Sequence, residues 1–228
     1  MALNSDSLAR RTIRAARAMR AHPNGTLLFA QLALVIGYPF LDGSTAGRAV
    51  LGVVQLAVVF SALRSVRSAS TVTWFALVIG FPCMVFAVWE TVAPTTDWVV
   101  LVSAALHVPF YLFVSYALIR YLFHDDTVTR DEMFATAAAF TVVAWAFAYA
   151  YAAVQVVWPG SFGEERAWFD LLYLSFTTLT SVGLGDFTPV LDHARSLVVL
   201  EQVAGVFYVA LVVSRMVSLA VTRRVRSE

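Results

Sequence analysis

Thr178-Leu179-Thr180-Ser181-Val182-Gly183-Leu184-Gly185-Asp186 is the stretch on which the reading of this chain turns. It follows an apolar segment, Trp168–Leu179, and precedes a longer one, Ala194–Val221. A bilayer core takes about 20 helical residues, so the first segment can enter a membrane but not cross it, and the second can cross. The expected order is helix, re-entrant helix, extended loop, helix. A polar, glycine-bearing loop at membrane depth cannot face lipid, because its N–H and C=O groups would lack partners. It lines a wet cavity or lies inside protein. Gly183 and Gly185 permit backbone angles that strain other residues, so successive carbonyls can turn toward one axis.

One chain supplies one strand of such a loop, which cannot surround an ion. Four copies about a symmetry axis can, and they stack rings of oxygen that replace the water around a dehydrated cation. Thr180 and Ser181 fit the inner end of that path, and the Ser181 hydroxyl offers its last coordination layer. Val182, Gly183 and Leu184 offer backbone carbonyls, with Gly185 closing the run. Asp186 stands at the outer mouth, where it either concentrates cations or braces the loop by a hydrogen bond. The carboxyl end of the half-span, around Leu179, is expected to point unpaired carbonyls at the cavity and to hold a cation there by its partial negative charge. A second reading has Ser175, Thr177, Thr178, Thr180 and Ser181 only satisfying backbone groups in a helical hairpin. That reading leaves the glycines and Asp186 without a purpose.

The rest of the composition agrees with a membrane chain. Of 228 residues, 60% are hydrophobic and 14% charged, too little charge to cover a water-soluble domain of this size. Six apolar stretches predict six transmembrane helices near Thr26–Leu41, Ala46–Leu63, Thr71–Val92, Trp98–Phe123, Met133–Trp158 and Ala194–Val221. The fold class is therefore an all-α integral membrane protein, with a re-entrant helix and loop between helices five and six. Every basic residue is arginine. With six alternating spans, the clusters at residues 10–20, 64–67, 120–130 and 223–226 share one side, leaving only Arg48, Arg166 and Arg195 on the other. Both termini are then cytoplasmic. Residues 1–25 predict a basic segment at the membrane surface, with arginines toward lipid phosphates or as a tail that fixes topology. Residues 26–123 make a four-helix domain, 124–132 a cytoplasmic linker, 133–221 a pore-like domain and 222–228 a short cytoplasmic tail. Cys83 is the only cysteine, which excludes disulfides within the chain.

With these residues set out, the segment from Leu171 to Pro189 resembles the pore helix and signature filter of tetrameric potassium channels. The likeness is to bacterial two-transmembrane and two-pore types, and Met133–Trp158 and Ala194–Val221 correspond to the outer and inner pore helices. The resemblance implies a homotetramer in a bacterial-type inner membrane that passes K+ down its gradient. By it, Thr180, Ser181, Val182, Gly183, Leu184 and Gly185 form the selectivity filter, and Asp186 is the filter-end aspartate. Thr177, Thr178 and Glu201 support the filter, and Gly205 falls where many relatives carry a hinge glycine, although close packing explains a glycine there equally well. The sequence departs from the family at Ser181, where threonine is usual, and at Leu184, where tyrosine or phenylalanine is usual. Leucine there is similar to the second filter of animal two-pore channels. The altered aromatic cuff keeps a non-selective monovalent cation channel as the alternative, followed by a nonconducting membrane adaptor.

Elsewhere the signals are weaker. Glu201, four residues before Gly205, is expected to face protein and to reach hydroxyls such as Ser175 or Thr178. Val209, Val213 and Met216 are candidates for an inner constriction. Glu90 and Asp97 are expected to be exposed, Glu164, Glu165 and Asp170 to enrich cations at the mouth, and His107 to be a packing histidine or a proton sensor. No nucleophile with a base and no metal cluster argues for an enzyme. No cofactor is expected beyond the permeating K+, and the partners are three identical subunits and lipid, not nucleic acid; no regulatory partner is named by the sequence. Trp98–Ile119 has no arginine, so a voltage sensor is not expected: each charge crossing the field contributes about 2.3 kcal/mol per 100 mV. Gating-current recordings should therefore show little charge movement per subunit, and several charges per subunit would refute this.

Overall fold

The computed structural model describes residues 23–41, scattered positions between 43 and 61, and residues 73–92, 96–122 and 130–227. The continuous elements among them are all helices: α1 Pro23–Leu41, α2 Thr73–Val92, α3 Asp97–Leu122, α4 Arg130–Val157, α5 Trp168–Leu179 and α6 Asp192–Ser227. Five of these cover the expected long spans. The second span, Ala46–Leu63, lies largely outside the described residues, although its described positions, Leu51 and Val58 among them, are helical. The basic segment before residue 23 and most of the 124–132 linker also lie outside them. Helix α4 begins at Arg130 rather than Met133, with Asp131 and Glu132 in its first turn, where carboxylates interact favourably with the helix dipole. Helix α6 continues through Ser227, past the boundary at Val221.

Among the described residues, four stretches are long and apolar enough to cross a membrane: Asn24–Leu41, Asp97–Arg120, Asp131–Val157 and Asp192–Arg215. Pro39, Pro82 and Pro109 all lie within continuous helices. Neighbouring helices can re-satisfy the carbonyl a proline leaves without its donor, so such breaks are tolerated in membranes.

Helix α4 is the hub, packed against α1, α3, α5 and α6. Its sequence explains why. Ala135, Ala138, Ala139, Ala146 and Ala148 are buried, and small side chains let neighbouring backbones approach closely where lipid removes any hydrophobic drive for helices to associate. Polar links then fix the register. Asn24 Nδ2 of α1 donates to Asp131 Oδ2 at 2.6 Å, Thr141 Oγ1 to Gln31 Oε1 at 2.6 Å, and Ser115 Oγ of α3 to the Ala139 carbonyl at 3.4 Å. Tyr208 of α6 donates to the Thr136 carbonyl.

Above this polar layer the contacts are aromatic. The His107 ring stacks on Tyr149 at 4.3 Å, Trp145 meets Trp168 edge-on at 5.4 Å, and Tyr38 of α1 stacks on Phe169 of α5 at 4.6 Å. The first residues of the half-span are thus held by α1 as well as α4. Overpacking a tight core site costs about 1–3 kcal/mol. Ala139→Leu, at a site with no exposure, should lower the thermal midpoint of the purified protein, whereas Leu112→Ala, on the exposed face of α3, should leave it near wild type.

Candidate functional site

Helix α5 and the loop after it form the candidate site, and both ends are anchored. At the start, Gln155 of α4 holds the Arg166 backbone in a fork: the Arg166 N–H donates to Gln155 Oε1 at 2.8 Å, and Gln155 Nε2 donates to the Arg166 carbonyl at 3.0 Å. Asp170 accepts the Ala167 N–H at 3.3 Å and so serves the amino end of α5. That adds a structural use to a carboxylate read from sequence as a cation attractor. Glu164 pairs with Arg166 at 2.8 Å, while Glu165 is exposed.

At its carboxyl end the chain turns back on itself. Ser181 has φ +59°, the left-handed region in which helices commonly end. The turn lets the Ser181 N–H donate to the Thr178 carbonyl at 2.9 Å, and the Val182 and Gly183 N–H groups both donate to the Thr177 carbonyl at 3.0 Å. Thr180 donates to the Phe176 carbonyl through both its N–H and its hydroxyl. The expectation of open carbonyls at this end is therefore corrected for residues 176–178. The loop that follows is short enough to cap the helix it leaves. Thr177 and Thr180 both direct their hydroxyls back to helix carbonyls, while Thr178 is buried.

Beyond the turn, positive φ recurs at alternate residues: Ser181 at +59°, Gly183 at +55° and Gly185 at +74°, with Val182 and Leu184 between them on the ordinary side. Where the hand alternates along a backbone, successive peptide planes can turn the same way, so that like groups can gather on one side. Glycine adopts this hand freely, whereas serine pays about 1–2 kcal/mol for it. Among the described residues, nothing in the chain donates to the carbonyls of residues 181–185. Residues 180–186 are all exposed in the single chain, including the apolar side chains of Val182 and Leu184. Asp186 lies near Tyr173 of α5, the Arg166 guanidinium sits 4.7 Å above the Phe187 ring, and the Val190 N–H donates to the Ser161 carbonyl at 2.8 Å. Both ends of the loop are fixed and its middle is open.

Residues 136–222 match the family described as ion channel. This segment is an ion-channel pore domain. The match covers less than half of the chain, and it takes in most of α4, all of α5 and the loop, and most of α6. The matched family is one of ion channels, not of enzymes, and the chain is a multi-pass membrane protein. Neither the curated proteins nor the solved structures gave a match.

Two residues of α6 lie directly behind the pore domain's loop. Glu201 has no exposed surface; Tyr151 of α4 contacts one carboxyl oxygen, and Ser175 of α5 the other. One turn on, a Cβ on Gly205 would sit 2.1 Å from the Leu179 carbonyl oxygen, so the glycine is what permits α6 to cross the end of α5. Val209 and Val213 project from α6 with about half their surface exposed, and Met216 lies in the same helix. Sequence reasoning missed Tyr151, Tyr173 and Gln155, because nothing in their local pattern separates them from other residues of an apolar helix. It also placed Glu90 in solvent. Glu90 instead accepts a hydrogen bond from Tyr149 at 3.0 Å, while Asp97 is exposed. His107 is fully buried, with Nδ1 donating to the Ser103 carbonyl at 2.9 Å.

Gly205→Ala separates packing from helix propensity. Propensity alone would favour alanine by about 1 kcal/mol; the contact with Leu179 predicts the opposite sign, read as a lower thermal midpoint and a smaller yield of assembled protein.

Proposed function

We propose that the chain is one subunit of a homotetrameric, potassium-selective channel, with residues 180–185 as its selectivity filter. The reading is supported above all by the run of residues 181–185, whose φ alternates in sign and whose carbonyls have no donor among the described residues. In an apolar medium such groups need partners. A K+ ion stripped of water supplies the complementary charge, and rings of carbonyl oxygen from four subunits supply enough ligands. Ser181 and Val182 carry the inner layers, Gly183, Leu184 and Gly185 the outer ones.

The exposed Val182 and Leu184 side chains and the apolar surface of α6, including Val199, Val203 and Phe207, support assembly, because patches of this kind on a lone chain mark interaction surfaces. Thr177, Thr178, Asp186 and Glu201 back the filter. Gly205 is a close-packing point at which α6 can also pivot, and Val209, Val213 and Met216 form the inner constriction. The membrane is a bacterial-type inner membrane with both termini cytoplasmic. Helices α1 to α3 act on the pore through its outer helix and, at Tyr38, through α5 itself.

A second reading, a non-selective monovalent cation channel, is favoured by Leu184, which cannot hydrogen-bond to the helix behind it as a tyrosine can. Reversal potentials in asymmetric KCl and NaCl across a planar bilayer separate the two. A shift close to the potassium equilibrium potential supports selectivity, and comparable sodium permeability supports the alternative. Gly183→Asp, which places a charged side chain at φ +55°, should abolish selective current; normal current from that variant would move the filter elsewhere.

A further inference from the structure

We infer that Glu201 is a neutral, hydrogen-donating acid that positions the filter by joining α4, α5 and α6 behind it, not a charge acting on the permeating ion. The inference deepens the pore reading and rests on it for the word filter, but the hydrogen on Glu201 is argued from contacts alone.

Ser175 Oγ lies 2.8 Å from the Ala144 carbonyl oxygen of α4 and also in hydrogen-bonding contact with Glu201 Oε1. A serine hydroxyl has one hydrogen, and a carbonyl or a carboxylate has none. If that hydrogen goes to Ala144, the Ser175 oxygen can only accept, so Glu201 must bring a hydrogen of its own. The second carboxyl oxygen, Oε2, accepts from the Tyr151 hydroxyl. With a hydrogen on Oε1 every contact has one donor and one acceptor, running from Tyr151 to Glu201, from Glu201 to Ser175, and from Ser175 to Ala144. Without it, the Ala144 carbonyl and a carboxylate compete for a single hydrogen, and one pair of oxygens faces across a dry gap.

The surroundings agree with the count. Glu201 and Ser175 both have no exposed surface. The titratable group that faces Glu201 from α4 is Tyr151; α5 presents Ser175, which does not titrate. Among the described residues no arginine or histidine pairs with Glu201 in its own chain, and the charges at the start of α6, Asp192 and Arg195, are exposed and paired with each other at 3.4 Å. An ionised carboxylate sealed between helices without a cation is expensive, whereas a neutral acid with a hydroxyl neighbour at each oxygen is satisfied. Gly205, one turn further, presses on the Leu179 carbonyl, so α6 grips the end of α5 at two successive turns. A small change at Glu201 is therefore delivered to the turn at Ser181.

The test uses the purified full-length protein in vesicles of phosphatidylethanolamine and phosphatidylglycerol. Infrared difference spectra of wild type against E201Q should show, at neutral pH, the carbonyl stretch of a protonated carboxyl group present only in wild type. E201Q should assemble, melt like wild type and keep its K+ over Na+ permeability ratio, because an amide places a donating NH2 toward Ser175 and an accepting oxygen toward Tyr151. E201A, which supplies neither, should lower both the melting temperature and that ratio. Absence of the protonated-carboxyl band overturns the proposal. So does failure of E201Q to assemble, or loss of selectivity in E201Q, since either would show that the negative charge is what the site needs. Should wild type itself pass no current, the pore reading falls, while the band and the melting temperatures still decide the hydrogen on Glu201.

Discussion

A backbone carbonyl in hydrocarbon needs a donor or a cation, and the order of this pore domain follows from that requirement. Helices α4 and α6 meet it internally, residue by residue. Residues 181–185 do not: among the described residues no donor reaches their carbonyls, and φ is positive at Ser181, Gly183 and Gly185. The surrounding structure compensates for what the loop leaves open. The inner end is stitched to Thr177 and Thr178, and just past the outer end Arg166 stacks on Phe187 and the Val190 N–H donates to the Ser161 carbonyl. Strain at Ser181 is tolerated because its own N–H and those of Val182 and Gly183 are satisfied by the turn it makes.

The same logic accounts for the unusual demands on α6. A helix that packed only through large apolar side chains would stand off from α5 and leave the end of that helix unsupported. Gly205 removes the side chain where the two backbones cross, and Glu201 replaces apolar contact with directed hydrogen bonds one turn earlier. Close approach and polar linkage are the two ways by which membrane helices associate when lipid is as apolar as they are. Here both occur within four residues. Between Val199 and Val213 most of the remaining surface of α6 is apolar and exposed in the single chain, which leaves it free for lipid or for other subunits.

How much of this was legible in the sequence differs by residue. The long helices were legible because twenty apolar residues have few alternatives, and Gly183 and Gly185 stood out because glycine at alternate positions in a polar run has a conformational meaning. The positive φ of Ser181 was not legible, since serine carries no such signal and the turn is imposed by its hydrogen bonds to the helix behind. Glu201 could be placed in protein by cost alone, but Tyr151 as its partner depends on how α4 is rotated about its axis. Glu90 was misread for the same reason. Its place near a helix end suggested water, yet the rotation of α2 and α3 against α4 brings Tyr149 to it. Helix rotation is set by packing over the whole bundle, which no local pattern encodes.

That dependence also says where helices α1 to α3 can influence the pore. Contacts made only with the outer face of α4 would have to move a helix that four neighbours hold in place. The stack of Tyr38 on Phe169 bypasses it and touches the first turn of α5 directly. Trp168, beside it, meets Trp145, Tyr149 and Tyr38, so the amino end of the half-span sits in an aromatic socket built from α1 and α4. Helix α5 carries at its far end Thr177 and Thr178, whose carbonyls hold the loop, so the aromatic contact gives α1 a route to that loop that does not pass through α4.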